Sequence, residues 1–251
     1  MDFLTNLQSK FGDIFKIKLL RKGTYLIEQK NGDITILYYL GGAKRELAAE
    51  TTNSQIIHID EDIWMSKPSI LLNRISTLLG NAERSYARET VVARIDKKMA
   101  IEFQEEHHLQ GAFPGKYRYG LFKKGELLAA AVFSGLRNMR HTENYRSIEL
   151  IHFCQKDTHL VIGGLSKLLT TMIRDFSPND IMTYIDRDWS DGEKFEALGF
   201  KNISNTKPHL FKVDRETYKR EIIKELDECS IKTNQYLVSN LGSIKMVKPV
   251  H

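Results

Sequence analysis

Residues 184–192, with the sequence YIDRDWSDG, place several side chains capable of chemistry in one short segment. Asp186, Asp188 and Ser190 alternate along it. A carboxyl group crowded by other carboxyl groups keeps its proton to higher pH, so these three residues are candidate catalytic groups for proton transfer. The segment follows an apolar run, which places it at the end of a predicted strand, where open sheets commonly bind ligands. The alternative is a solvated polar turn.

A glycine turn before a predicted helix, VIGGLSKLLTTMI at residues 161–173, forms a second candidate site. A helix that begins at such a turn presents backbone N–H groups to a phosphate, and the helix dipole adds to the attraction. The alternative is an ordinary helix N-terminus. The predicted cofactor-binding residues are Ile162, Gly163, Gly164, Ser166 and Lys167.

Two histidines, His107 and His108, end a predicted helix just before a glycine. Imidazole near a helix C-terminus is favourable electrostatically, which gives both residues a structural reason to be there. In the functional alternative His108 is a general base, because the pKa of imidazole suits proton transfer near neutral pH. His152 and Cys154 share one face of a predicted strand, which fits either a wall of the core or a Cys–His pair.

Between residues 115 and 146 the chain carries seven Lys and Arg against two Asp and Glu, interleaved with aromatic residues. Such a mixture favours a phosphate-bearing partner, either a nucleic acid or a nucleotide cofactor. The alternative is a β-hairpin with a solvated basic face. The predicted nucleic-acid-binding residues are Arg137, Arg140, Arg146, Arg187 and Trp189, the last by stacking on a base.

The whole chain has 251 residues, a net charge of +5 and 41% apolar residues, which predicts a sizeable core in one large or two small domains. No apolar run approaches the ~20 residues of a membrane span. The N-terminus lacks the pattern of a secretory signal. The two cysteines, Cys154 and Cys229, lack metal-ligand spacing, so we expect no metal site and a reduced, cytoplasmic location.

Two α+β domains, residues 1–82 and 83–251, are predicted to position these candidates. The first contains three short strands followed by a fourth strand and a helix, and Asn31-Gly32 indicates a hairpin turn between the second and third strands. From residue 86 the predicted order is strand, helix, hairpin, strand, helix, strand, helix, strand. Residues 215–228 are predicted to form a charged helix.

This element order, together with VIGGLSKLL and KFEALGF, resembles the GNAT acyltransferases. The resemblance implies a GNAT-like central mixed sheet with flanking helices. It also implies acetyl-CoA or another acyl-CoA as cofactor, with the pyrophosphate at residues 162–167. Leu160 and Leu165 depart from the family's phosphate-loop pattern, and Phe195 stands where many members have a tyrosine that protonates the CoA thiolate. Another group must take that role, and residues 186–190 hold the nearest candidates.

A closer resemblance covers residues 56–211, through IIHIDEDIW, LLNRISTLLG, YARE, EEHHLQG, LIHFC, VIGGLSKLL, YIDRDWSDG and LGF. In order, these blocks resemble phage- and mobile-element-encoded proteins that join a very-short-patch-repair-type homing endonuclease domain to a GNAT-like domain. The latter is similar to the phage Mom proteins, which modify adenine in DNA. The resemblance implies a nucleic-acid context.

The N-terminal domain is expected to be a degenerate nuclease. Asp13 and the Glu28-Gln29-Lys30 triplet match a D…ExK nuclease pattern only weakly. Asp60-Glu61-Asp62 is expected to begin a helix, as an N-cap with acidic first-turn residues, rather than to hold a metal.

The sequence as a whole predicts a GNAT-fold N-acyltransferase whose acceptor is a nucleobase or another amine. The first alternative is a non-catalytic nucleic-acid-binding module derived from a mobile-element endonuclease. The second is an N-acetyltransferase of small molecules or proteins with no role on nucleic acid.

Overall fold

Residues 2–45, 55–139, 144–223 and 231–250 are described by the structure, a computed structural model. The contacts divide the chain into two units. The first unit comprises residues 1–68, 185–192 and 205–244, and the second comprises residues 69–184, 193–204 and 245–251. Both units are discontinuous in sequence, so this division differs from the single boundary after residue 82 that the sequence predicts. The assignment of two domains, residues 1–82 and 83–251, stays a prediction.

The first unit begins with a helix and a four-stranded sheet in the order β1-β2-β3-β4. The elements are α1 (Phe3–Phe11), β1 (Phe15–Arg21), β2 (Thr24–Gln29), β3 (Ile34–Tyr39), β4 (Gln55–Asp60) and α2 (Glu61–Ser66). The hairpin predicted at Asn31-Gly32 is confirmed, because β2 and β3 pair antiparallel across it, whereas β3 and β4 run parallel. Asp2 caps α1 by accepting a hydrogen bond from Thr5 N–H at 2.7 Å. The ring of Phe3 then packs 5.4 Å from that of Trp64.

A three-stranded antiparallel sheet in the order β15-β14-β16 completes the first unit. Its strands are β14 (Leu210–Asp214), β15 (Arg220–Ile223) and β16 (Gln235–Ser239). The helix predicted over residues 215–228 is therefore wrong in its described part, where Arg220 pairs with Val213 of β14. The helix-forming composition of this stretch is overridden by pairing with a strand whose Val213 is fully buried.

The largest sheet has the order β13-β17-β12-β10-β8-β7-β6, with β9 beside β10. Its strands are β6 (Val91–Arg94), β7 (Tyr117–Lys123), β8 (Glu126–Phe133), β9 (Arg137–Asn138), β10 (Arg146–Gln155), β12 (Asp180–Asp186), β13 (Lys201–Asn205) and β17 (Ser243–Pro249). The short strands β5 (Glu83–Tyr86) and β11 (His159–Ile162) pair with each other in parallel. The helices of this part of the chain are α3 (Pro68–Leu78), α4 (Lys97–His107), α5 (Gly164–Phe176) and α6 (Glu193–Glu196).

Two helices flank this sheet and bury its centre. Ala100 and Phe103 of α4 join Ala130 and Val132 of β8 in one apolar cluster. The other helix, α5, packs on β7 and β8 through a face that includes the buried Leu168. The antiparallel pairs β6–β7, β7–β8 and β8–β10 and the parallel pair β10–β12 make the sheet mixed. The predicted α+β class, a central mixed sheet with flanking helices, is confirmed.

Candidate functional site

The predicted phosphate-binding turn lies at the N-terminus of α5, in the second unit. Gly163 is the N-cap residue and is left-handed, with φ +75° and ψ +5°, a conformation that glycine adopts without strain. The first helical hydrogen bond runs from Lys167 N–H to the Gly163 carbonyl at 3.0 Å. The N–H groups of Gly164, Leu165 and Ser166 precede that bond, so α5 itself supplies no acceptor for them.

The side chains of this turn differ in what they can offer a ligand. Gly163, Ser166 and Ile162 are exposed. Gly164 is buried, and a Cβ there would lie 3.0 Å from Leu121 Cδ1, so glycine lets α5 approach β7 closely. The Lys167 ammonium donates to two backbone carbonyls, those of Ala87 at 2.7 Å and Thr90 at 2.5 Å. Lys167 therefore ties the turn to residues 87–90, and a phosphate would have to compete with those carbonyls.

Strand β10 changes its pairing near the middle. Its parallel ladder with β12 runs from Ser147–Asp180 to Leu150–Thr183, while β10 itself continues to Gln155 beside β8. The register with β8 shifts between Leu150 and His152, so Ile151 is a β-bulge at the point where the β12 ladder ends. A bulge inside a sheet redirects backbone groups and side chains, and bulges are common next to active sites.

Just beyond this bulge, two imidazoles are stacked. The rings of His108 and His152 have their centroids 4.4 Å apart and are inclined by 26°. His152 Nδ1 lies 2.7 Å from Oε1 of Gln104, a fully buried residue of α4, and His108 Nδ1 lies 3.2 Å from the Gln110 carbonyl oxygen. The structure thus brings the predicted base His108 to a second histidine on β10. His152 also shares the α4 side of the sheet with Cys154, which is part of the apolar cluster there.

Residues 186–190 lie in the first unit, where they form a tightly bonded turn after β12. The Asp186 side chain accepts from Asp188 N–H at 3.0 Å, and its carbonyl accepts from the N–H groups of Trp189 and Ser190. Ser190 Oγ accepts from Gly192 N–H at 3.1 Å. Most of these polar groups therefore stabilise the turn itself.

Asp188 belongs to a buried set of charges, the Asp188 network, made of Arg45, Asp60, Asp62, Asp188 and Arg220. Arg45 Nη2 lies 2.7 Å from Asp188 Oδ2 and 2.9 Å from Asp60 Oδ2. Arg220 contacts Asp60 at 2.7 Å and both carboxylate oxygens of Asp62. Three carboxyl groups thus share two guanidinium groups.

Within the Asp188 network, burial raises the pKa of both Asp60 and Asp188, and the two carboxyl groups differ in their partners. Asp60 contacts both arginines and Asp62 accepts two bonds from Arg220, whereas Asp188 contacts Arg45 and the backbone N–H of Leu241. Burial raises the pKa of Asp188 to about 7, against the opposing effects of Arg45 and the Leu241 N–H. A carboxyl group with this pKa can exchange a proton near neutral pH.

A buried histidine lies beside the same network. His58 Nδ1 is 2.9 Å from the hydroxyl of Tyr39, and the two rings are stacked. Burial lowers the pKa of His58 to about 4, and the positive charge of Arg45 acts in the same direction. His58 is therefore neutral near pH 7.

Three of the predicted nucleic-acid-binding arginines, Arg137, Arg146 and Arg187, already have partners within the protein. Arg137 is half exposed and pairs with Glu149 at 2.6 Å, whereas Arg146 donates to the Ser177 carbonyl at 3.1 Å. Arg187 donates to the Leu241 carbonyl at 2.9 Å, and the Trp189 carbonyl accepts from Gln55. Arg140 lies outside the described residues.

The residues with a weak nuclease pattern form an exposed ion pair, in which Lys30 Nζ lies 2.5 Å from Asp13 Oδ2. Asp60 stands at the N-cap of α2, with Glu61 and Asp62 in the first turn, as predicted. Within the described ranges, no group of three or more His, Cys, Asp or Glu side chains is arranged to hold a metal ion. No helix of that part of the chain is long and apolar enough to cross a membrane.

Three residues that were not predicted from the sequence are central to the histidine pair and to the Asp188 network. Gln104 orders the histidine pair, and Arg45 and Arg220 hold the buried carboxyl groups. The only sequence signal for Gln104 is its place on the helix that ends at His108. Arg45 and Arg220 both contact Asp60, although they lie 15 and 160 positions away from it in the sequence. No local sequence pattern indicates these two pairings.

No protein-family model matches this sequence, and no curated protein sequence matches it. The fold is similar to solved acetyltransferase structures. One, described as "histone acetyltransferase HPA2 and related acetyltransferase" from Corynebacterium glutamicum, is 11% identical over 65% of this chain and 97% of its own, with a TM-score of 0.41. A GNAT family acetyltransferase from Elizabethkingia anophelis with acetyl-CoA bound is 7% identical over 64% and 99%, with a TM-score of 0.37. Arabidopsis thaliana Naa50, in complex with a bisubstrate analogue, is 10% identical over 64% and 99%, with a TM-score of 0.39. Similarity at this level assigns neither an activity nor a ligand to this chain.

Proposed function

We propose that this chain is an acyl-CoA-dependent N-acyltransferase with a GNAT-like sheet. The observation that carries the proposal is the end of the β10–β12 ladder at Leu150–Thr183, coincident with the bulge at Ile151. An extended ligand arm that bears amide groups can add to a strand edge as another strand would. The pantetheine arm of CoA has this chemistry, so we place it along β10 beyond Leu150.

The diphosphate of the donor is assigned to the N-terminal turn of α5. The N–H groups of Gly164, Leu165 and Ser166 have no acceptor within that helix, and a 13-residue helix contributes its dipole at the same point. Gly163 is exposed and left-handed, and a Cβ there would lie 3.6 Å from that of Ala87. These features suit an anion with several oxygens.

The chemistry we assign is direct transfer to an amine. His108, stacked on His152, takes the proton of the acceptor amine, which then attacks the thioester carbonyl. A C–N bond forms, the C–S bond breaks, and backbone N–H groups near the bulge stabilise the oxyanion. The CoA thiolate leaves and needs a proton. Phe195 cannot supply it, and its ring packs edge-on against Phe200, with centroids 5.4 Å apart.

The acid that protonates the CoA thiolate is proposed to be Asp186, Asp188 or Ser190. The acceptor is proposed to be a nucleobase or another amine, on the strength of the resemblance to mobile-element proteins. A non-catalytic nucleic-acid-binding module is the alternative, and Arg137, Arg140, Arg146, Arg187 and Trp189 are the residues proposed for its contacts.

The deciding experiment is thermal unfolding with and without acetyl-CoA. A ligand that binds the native state at 100 times its Kd stabilises it by about 2.7 kcal/mol. We expect such a shift in the natural chain and none in Gly163→Val, whose side chain blocks the turn. Gly80→Val is the matched control, since Gly80 is also left-handed, with φ +84°, and has open space around its Cβ position.

The outcomes separate the two functions. A cofactor shift that survives in Gly163→Val removes the diphosphate assignment. No shift in the natural chain, combined with DNA affinity that falls steeply with salt, supports the binding module and refutes the transferase. Acyl transfer to a set of amines and to single-stranded DNA then identifies the acceptor class.

A further inference from the structure

The buried amide of Gln104 has an orientation that three backbone groups determine. Its Nε2 lies 2.8 Å from the Ala100 carbonyl oxygen and 3.0 Å from the Phe113 carbonyl oxygen, and its Oε1 accepts from Phe113 N–H at 3.1 Å. A flipped amide would place its oxygen against two carbonyl oxygens and its NH2 group against an N–H. The hydrogen-bond network therefore determines which side-chain atom of Gln104 is the oxygen and which is the nitrogen. Oε1 is the atom that faces His152.

This orientation fixes the proton on His152. An amide oxygen only accepts hydrogen bonds, so His152 Nδ1, 2.7 Å from Oε1, must carry a hydrogen. In the neutral imidazole the lone pair that can accept a proton is then on Nε2. The same reasoning applies to His108, since the Gln110 carbonyl oxygen at 3.2 Å from its Nδ1 also only accepts.

We propose that Gln104 is a positioning residue that holds His152 as its Nδ1–H tautomer, with the free lone pair on Nε2, and so orders the ring on which the proposed base His108 is stacked. The role of Gln104 in acyl transfer rests on the proposed acyltransferase function, whereas the tautomer of His152 does not. Gln104 also accepts the His108 N–H with its backbone carbonyl at 2.8 Å, so one residue fixes the position of both members of the pair.

The neutral amide of Gln104 affects the His152 ring differently from a carboxylate. A carboxylate beside Nδ1 stabilises the imidazolium, whereas an amide orders the ring without adding negative charge. The stacked neighbour acts further in this direction, because two imidazolium rings with centroids 4.4 Å apart repel each other.

The tautomer is measured directly, without substrate, from the imidazole 15N shifts of the full-length protein at a pH where His152 is neutral. We expect a pyrrole-type shift at Nδ1 and a pyridine-type shift at Nε2. Gln104→Met removes the acceptor at similar size and should give a mixture of tautomers. In Gln104→Glu the second oxygen must be protonated to donate to the Ala100 or Phe113 carbonyl, while the first remains an acceptor. This variant should preserve the single tautomer, which separates the effect from mere loss of packing.

Activity then tests the positioning role. Loss of the single tautomer in Gln104→Met should lower kcat at least tenfold, with rescue in Gln104→Glu. A pyridine-type Nδ1 in the natural chain overturns the inference, as does full kcat in a folded Gln104→Met with mixed tautomers. If the expected tautomer is found but no amine is acylated, the tautomer assignment stands and the acyltransferase function is refuted.

Discussion

Replacing Asp188 with asparagine tests whether this carboxyl group holds a proton in the folded protein. Its pKa rises from 3.8 to about 7 on folding, so the folded state binds the proton more tightly than the unfolded chain does. The stabilisation is complete below pH 4 and is lost as the pH rises through 7. At 1.36 kcal/mol per pKa unit, Asp188 should contribute about 2–3 kcal/mol more at pH 5 than at pH 8.

The assay is urea unfolding followed by tryptophan fluorescence at several pH values. Both tryptophans, Trp64 and Trp189, lie in the first unit with Asp188, so the signal reports that unit. The free-energy difference between the natural chain and Asp188→Asn should fall by about 2–3 kcal/mol from pH 5 to pH 8. Asp191→Asn, an exposed position of the same turn, is the control and should show a constant difference. If Asp188→Asn also shows a constant difference, Asp188 is ionised throughout and forms an ordinary ion pair with Arg45.

Three further changes probe the same unit. Because the pKa of His58 is lowered from 6.5 to about 4, the native state should lose up to about 3 kcal/mol as pH falls from 7 to 4, and His58→Gln should remove that loss in urea unfolding. Arg220→Met leaves the buried Asp62 without its bidentate partner and should cost about 3–5 kcal/mol. Lys30→Met, which breaks the exposed pair with Asp13, should cost no more than about 1 kcal/mol. Equal losses of unfolding free energy in Arg220→Met and Lys30→Met would refute the reasoning.

The sequence predicts best those features that short-range patterns determine. The Asn31-Gly32 hairpin follows from turn chemistry, and α5 follows from a glycine turn before residues with helical periodicity. The start of α2 directly after Asp60 follows from the acidic first turn. In each case the residues that define the element lie within a few positions of one another.

Features that depend on distant pairing were not predictable in the same way. The stretch around Arg220 has a helix-forming composition, yet it pairs as β15 with β14. His108 and His152 are 44 positions apart, and the alternation of His152 with Cys154 shows only which side chains share a face. The Asp188 network accounts for one charge of residues 184–192, since Asp188 serves a buried pairing that no local pattern indicates.

The Asp188 network also constrains the order in which the chain can fold during synthesis. Asp60 and Asp62 emerge from the ribosome early, but their partner Arg220 follows about 160 residues later. At roughly 5–20 residues per second, Asp62 waits on the order of ten seconds or more before it can be buried with its counter-charge, whereas Asp60 already has Arg45. Residues 1–68 made alone should therefore remain incompletely folded, and the first unit should close only after β15 has been synthesised.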